Sequence, residues 1–193
     1  MRAGGGSENA RARVARVAFI CTVNRARSPF AAALLRRHLE GRAVVVESFG
    51  ALERGGAPAL LPAVRAARAF GIDLRGHRSR PLPHGVLRES DLAIGFEPFH
   101  LASAVVTGGA ERSRAFLLAE LADALLEGEV GVAFEDVLAS ADARRRADEM
   151  LPRSLADPVG SPDRRFLEQY HEIDRLVAII AVRLFGAVSE RTG

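Results

Sequence analysis

Five residues separate Cys21, the only cysteine of the chain, from Arg27, and Ser28 and Pro29 follow directly. That spacing can perform phosphoryl chemistry. The main-chain N–H groups of Thr22, Val23, Asn24, Arg25, Ala26 and Arg27 can curl around a tetrahedral oxyanion where a loop runs into a helix N-terminus, and the helix dipole adds positive potential. Arg27 can offer two parallel donors to phosphoryl oxygens. The same field favours the thiolate form of Cys21, which is the nucleophilic form. Ser28 can donate a hydrogen bond to that sulfur and ease its departure in a second step. Together these parts predict a phospho-cysteine intermediate. The spacing alone is weak, because 27 arginines in 193 residues place one at about every seventh position. Its weight comes from the elements around it.

Such chemistry also needs an acid to protonate the leaving oxygen and then a base to activate water. The first aspartate of the chain is Asp73, so the acid must lie downstream of the cysteine. Asp157, in LADPVGSP directly before the last helical pattern, is the candidate.

The elements that must position these groups follow from periodicity. Val14 to Ile20 is a short, apolar, partly β-branched run and predicts a buried strand ending at Cys21. Ser28-Pro29 predicts a helix start, with Ser as cap and Pro in the first turn, and the helix FAAALLRRHLE stops at Gly41. Further strands are predicted over 43–48, 91–96 and 114–118, and helices over 62–70 and 98–106. Residues 119–150 read as helical, broken at Gly128 and Gly131. A closing helix over 163–185 carries Phe166, Leu167, Tyr170, Ile173, Leu176, Val177 and Ile180 at helical spacing. Strands alternating with helices predict an α/β fold with a parallel sheet covered on both faces. Residues 1–12 read as a disordered tail, and 13–193 as one domain with an enlarged 108–150 segment.

Composition sets the outer bounds. The chain is 48% hydrophobic and 26% charged, an ordinary globular balance. Every basic residue is Arg, yet the formal net charge is only +3. Runs such as Arg144-Arg145-Arg146 lack interleaved aromatics and read as solvated helix faces, so no nucleic acid is expected as partner. No apolar stretch approaches the roughly 18 residues of a membrane span, and a lone thiol fits a reducing compartment. The expected location is cytoplasmic. The five histidines show no metal spacing; His77, His84 and His100 read as surface or loop residues, and no cofactor is expected.

The loop I-C-T-V-N-R-A-R-S-P resembles the V-C-x-G-N-x-C-R-S-P loop of low-molecular-weight protein-tyrosine phosphatases. Asp157-Pro158 matches that family's late Asp-Pro, and GIDLRGHRSRPL (71–82) and DLAIGFEPFHLASAV (91–105) are similar to its segments. The resemblance implies a three-layer, doubly wound, four-stranded parallel sheet in order 2-1-3-4, with the Arg-Ser-Pro phosphate-binding loop after strand 1. It implies Cys21 as nucleophile, Arg27 as phosphate clamp, Ser28 as thiolate partner, Asn24 as loop-shaping residue and Asp157 as acid then base. The implied substrates are phosphorylated protein or a small aryl phosphate, with inorganic phosphate or sulfate able to occupy the loop. Departures accompany the match. Val23 replaces a Gly; if that position needs a positive φ or a close backbone approach, the cradle is distorted and a phospho-binding protein of impaired activity results. Ala26 replaces a second loop cysteine, Arg25 adds a charge, and Val159 and residues 50–57 supply no aromatic wall. A small-thiol-dependent arsenate reductase and a protein-arginine phosphatase are the related alternatives; a cationic Arg25 would repel a guanidinium leaving group.

Overall fold

The computed structural model describes residues 15–52, 55–128, 132–147 and 153–186. The tail read over 1–12 lies outside the described residues, as does Gly131. Four parallel strands, β1 (Ala15–Cys21), β2 (Val44–Gly50), β3 (Leu92–Gly95) and β4 (Ala115–Leu117), form a sheet in the order β2-β1-β3-β4. β1 pairs with β2 along one edge and with β3 along the other, and the two cores cover its two faces, so from Val17 on its sequence is apolar without alternation. Val17, Phe19 and Cys21 look into the larger core. Ala18 and Ile20 look into a smaller one with Leu101 and Ala104 of helix α3 (Pro98–Val106).

The larger core is closed by α1 (Arg27–His38), α2 (Leu61–Arg68), α4 (Leu118–Glu127), α5 (Phe134–Ala147) and α6 (Asp163–Phe185). α6 buries Phe166, Tyr170, Ile173, Leu176, Val177 and Ile180, the stripe its spacing predicts, and Gly186 closes it in the left-handed conformation at φ +60. Leu167 differs: it is 38% exposed, because one residue past Phe166 turns it about 100° off the buried stripe. The 108–150 segment supplies α4 and α5, whose Leu121, Leu125, Leu138 and Ala141 join the core. Arg145 departs from a solvated face. It tucks inward with Asp142, and its guanidinium lies 4.6 Å from the centroid of the Phe116 ring.

The C-terminal ends of the four strands, at Cys21, Gly50, Gly95 and Leu117, lie at one edge of the sheet. In open α/β sheets that edge is where loops converge on a ligand.

Candidate active site

The loop 21–27 is shaped by where its carbonyls are held. The Cys21 carbonyl accepts from Ala51 N at 2.9 Å, Thr22 from Leu52 N at 2.8 Å and Arg25 from Leu60 N at 2.9 Å. Asn24 O accepts from His77 Nε2–H at 2.6 Å, and Ala26 O from the Tyr170 hydroxyl at 2.9 Å. A trans peptide is planar, and its N–H points opposite to its C=O. Anchoring five carbonyls outward therefore turns the N–H groups of Thr22, Val23, Arg25, Ala26 and Arg27 away from those anchors, toward the inside of the loop. No side chain caps α1, and Pro29 has no N–H, so the first-turn donors of Arg27 and Ser28 add to the same anion-binding end.

Ser28 is not the helix cap. The helix begins at Arg27, with Ala26 in the cap position, because the serine hydroxyl is committed elsewhere. Ser28 Oγ donates to Cys21 Sγ at 3.0 Å and accepts from Asn24 Nδ2 at 2.9 Å. Asn24 is the one non-glycine residue with positive φ among the described residues, at +52, and it is fully buried. Its side chain holds the loop to its surroundings: Nδ2 also donates to Ser48 Oγ at 2.9 Å, and Oδ1 accepts from Arg80 N at 2.8 Å. Asparagine tolerates this conformation because its amide compensates locally. Val23 does not take a positive φ, so the backbone strain considered for a β-branched residue there does not arise. Arg25 is half-buried, with Nε donating to Pro58 O at 2.7 Å.

Arg27 is 1% exposed and its guanidinium is the hub of the site. Nη2 meets Asp157 Oδ2 at 2.6 Å and Thr22 Oγ1 at 3.0 Å; Nη1 meets Glu97 Oε2 at 2.5 Å and Leu155 O at 2.8 Å. Asp157 thus comes to the loop from 130 residues away. Its segment is fixed by Leu155 N donating to Phe96 O at 2.8 Å, and Val159 N donates to Asp157 Oδ1 at 3.1 Å. A 390 Å³ depression beside it is lined by Pro158, Ser161, Arg165, Glu168 and Gln169, with no aromatic side chain.

His100 is not the surface or loop residue its sequence context predicts, whereas His77 does lie in a loop. His100 is buried; its Nδ1 accepts from the N–H groups of Phe96 and Glu97 at 3.2 and 3.0 Å, so Nε2 carries the proton and donates to Thr22 Oγ1 at 3.1 Å. Burial, then the Arg27 charge, hold its pKa down at about 4, against an opposing pull from Asp157. The close fit depends on Gly95: a Cβ there would stand 2.9 Å from His100 Cβ. His77 is half-buried, and burial lowers its pKa. His84 is exposed, as expected.

Cys21, Thr22, Val23, Asn24, Arg25 and Ala26 therefore lie on one loop, Arg27 and Ser28 open the helix that follows it, and Asp157 meets Arg27 there. Sequence reasoning missed Glu97, His100, His77, Ser48 and Tyr170. Glu97 had one available signal: it follows a strand by two residues, at the edge where ligand loops converge. The others contact the loop only through the fold.

Comparison with known proteins gives four findings. Residues 16–134 match the family model described as low molecular weight phosphotyrosine protein phosphatase. The chain is 31% identical over 140 residues to the probable low molecular weight protein-tyrosine-phosphatase EpsP of Ralstonia solanacearum, covering 71% of this chain and 94% of that protein. It is 33% identical over 101 residues to the low molecular weight protein-tyrosine-phosphatase Etp of Escherichia coli K12, covering 52% and 67%. The fold is similar to the tyrosine phosphatase Wzb of Escherichia coli K30 in complex with sulphate, with TM-score 0.66, 22% identity and coverage of 88% and 97%.

Proposed function

Because the chain belongs to the low molecular weight phosphotyrosine protein phosphatase family, we propose that this phosphatase hydrolyses phosphotyrosine-type monoesters through a phospho-cysteine intermediate on Cys21. The observation that carries the reading is the meeting of Asp157, from the loop before α6, with the Arg27 guanidinium beside the Cys21–Ser28 pair. A chain using this loop only to bind an anion has no use for a remote carboxylate at that place.

The steps follow from the contacts. A phosphoryl group enters the ring of inward N–H donors and takes Arg27 Nη2 in place of Asp157 Oδ2, which frees the carboxyl group to face the leaving oxygen. Cys21 Sγ attacks phosphorus; the S–P bond forms, the ester P–O bond breaks, and the leaving oxygen takes the proton of Asp157. Asp157, now a carboxylate, accepts a proton from water as the water oxygen attacks phosphorus. The S–P bond breaks, Cys21 leaves as thiolate and receives the Ser28 hydroxyl bond, and inorganic phosphate departs. Glu97 and Thr22 keep the Arg27 fork in plane during both steps. Asn24 and Ala26 shape the donors, and Val23 contributes its N–H. A sulphate complex in a relative of the same fold agrees with an oxyanion in this loop. Arg25 Nε is engaged by Pro58 O, and the depression beside Asp157, lined by Ser161, Arg165, Glu168 and Gln169, accommodates a polar peptide.

Hydrolysis of p-nitrophenyl phosphate from pH 5 to 8, compared among wild type, Cys21→Ser and Asp157→Ala, tests the assignment. Activity is expected to vanish in the first variant and to fall about 10²–10⁴-fold in the second, the range of a lost general acid. A wild type that binds phosphate without hydrolysing the ester would replace this reading by phospho-binding alone.

A further inference from the structure

A second cavity, of 460 Å³, lies outside the loop between α1, β2 and the 73–80 segment. Its lining includes Ser48, His77 and Arg80, and these three residues supply the external anchors of Asn24: the Ser48 hydroxyl, the His77 ring and the Arg80 N–H. The cavity is thus the outer wall of the one left-handed residue in the loop.

The wall is also strongly positive. Arg36, Arg78 and Arg80 line it. Arg80 meets Glu47 at 3.3 Å, whereas Asp73, the other lining carboxylate, is chelated by Arg75 at 2.7 to 3.1 Å. Arg36 directs Nε and Nη2 to the single carbonyl of Val46, and Arg78 directs Nη1 to the carbonyls of His77 and Arg75. Among the described residues, neither Arg36 nor Arg78 has a carboxylate partner. Their proximity is felt in the cavity, where Arg80 and Arg36 then Arg78 add to the burial that depresses the His77 pKa, and burial, then Arg80, lowers that of Arg36 against an opposing pull from Glu47. Two guanidinium groups satisfied only by carbonyls, in a concave site with a third beside them, match the multidentate donors that tetrahedral oxyanions take.

We infer that this cavity is a second binding site for a free oxyanion of the phosphate or sulfate class, coupled to the catalytic loop through the anchors of Asn24. It stands apart from the roles proposed for Cys21 and Asp157. An anion held by Arg36, Arg78 and Arg80 neutralises the charge facing His77 and fixes the Arg80 main chain, and both groups hold Asn24 in its left-handed turn.

The test is a titration of ¹⁵N-labelled full-length protein with sodium sulfate at constant ionic strength set with chloride, which keeps screening fixed. The Nε–H signals of Arg36 and Arg78 and the amides of Gly76 and His77 report the outer site; the amides of Thr22 and Val23 report the inner loop. Saturable shifts of the outer set are expected in wild type. In Arg78→Glu, an exposed loop position that does not endanger folding, and in Arg36→Ala, the outer affinity should fall about tenfold or more, the scale of a lost charge-assisted bond, while the inner set still responds. An outer set that does not move, or that responds in both variants as in wild type, overturns the inference. An inner set that does not respond counts against the phosphatase reading instead and leaves the outer result to stand by itself.

Discussion

Tyr170 offers the sharpest perturbation of the cradle, because one atom can be removed while the packing stays. Its ring lies fully buried, stacked on Phe30 with centroids 3.8 Å apart and planes 6° apart. Its hydroxyl donates to Ala26 O at 2.9 Å, and among the described residues the only other donor to that carbonyl is Phe30 N at a long 3.4 Å. Tyr170→Phe keeps the stack and deletes the short bond. A buried neutral hydrogen bond contributes about 1 kcal/mol net, and a carbonyl left with a poor partner costs somewhat more. The expected loss is about 1–2 kcal/mol, or a melting temperature lower by roughly 2–8 °C for a chain of this size. The functional effect is larger in kind. The freed Ala26–Arg27 peptide can rotate, and its N–H then no longer points reliably into the loop. One charge-assisted donor is worth about 1.5–3 kcal/mol; partial loss should raise KM for p-nitrophenyl phosphate and the inhibition constant of inorganic phosphate together, by about 3- to 10-fold, with kcat changed less. Thermal melts beside steady-state kinetics measure both. A lower melting temperature with an unchanged phosphate constant would refute the peptide-orientation argument and leave Tyr170 as packing alone.

Three further outcomes follow from the geometry. In Ser28→Ala, Cys21 Sγ loses its 3.0 Å donor, so departure of the thiolate should slow about 10- to 100-fold, and a burst of p-nitrophenol should appear in stopped flow; unchanged turnover without a burst would contradict the role. His100 is held neutral, with its pKa lowered to about 4 from 6.5. Below pH 6.5 the unfolded chain therefore binds a proton that the folded chain does not, and stability falls as pH drops from 6.5 toward 4, by at most about 3 kcal/mol. His100→Gln should flatten that part of the stability curve in urea unfolding at pH 4.5 and 7, and an equally steep curve would show that other groups cause it. Val23→Gly relieves no positive φ. Its kcat/KM should stay within about 3-fold of wild type and its stability should drop by up to about 1 kcal/mol from added chain entropy, whereas a large gain in activity would show that the valine side chain obstructs the loop.

The amino-acid sequence by itself determined the parts whose physics is local. Cys21, Arg27 and Ser28 sit within one strand–loop–helix unit, so their convergence follows from short spacing and from the helix that starts at Arg27. The 163–185 helix was legible because apolar residues from Phe166 to Ile180 repeat at its pitch over about four turns, and the order of strands and helices implied the parallel sheet. Asp157 was singled out because no aspartate precedes the cysteine and because it stands in an Asp-Pro loop directly before the last helix. What only the tertiary structure decided is which distant groups hold the loop open to an anion. Tyr170 and Ala26 are 144 residues apart, His77 and Asn24 are 53, and Glu97 and Arg27 are 70. No periodicity encodes those distances. A histidine in a polar stretch and a tyrosine in a buried stripe look the same on the page whether or not they meet a carbonyl. The same limit applies to Ser28, whose cap-like sequence was overridden by a sulfur within reach, and to Val23, which needs no positive φ because the left-handed turn falls one residue later, on Asn24. Side-chain direction is set by the packing of α6, α3 and the 73–80 segment against the loop, and that packing exists only once the sheet has brought its strand ends to one edge.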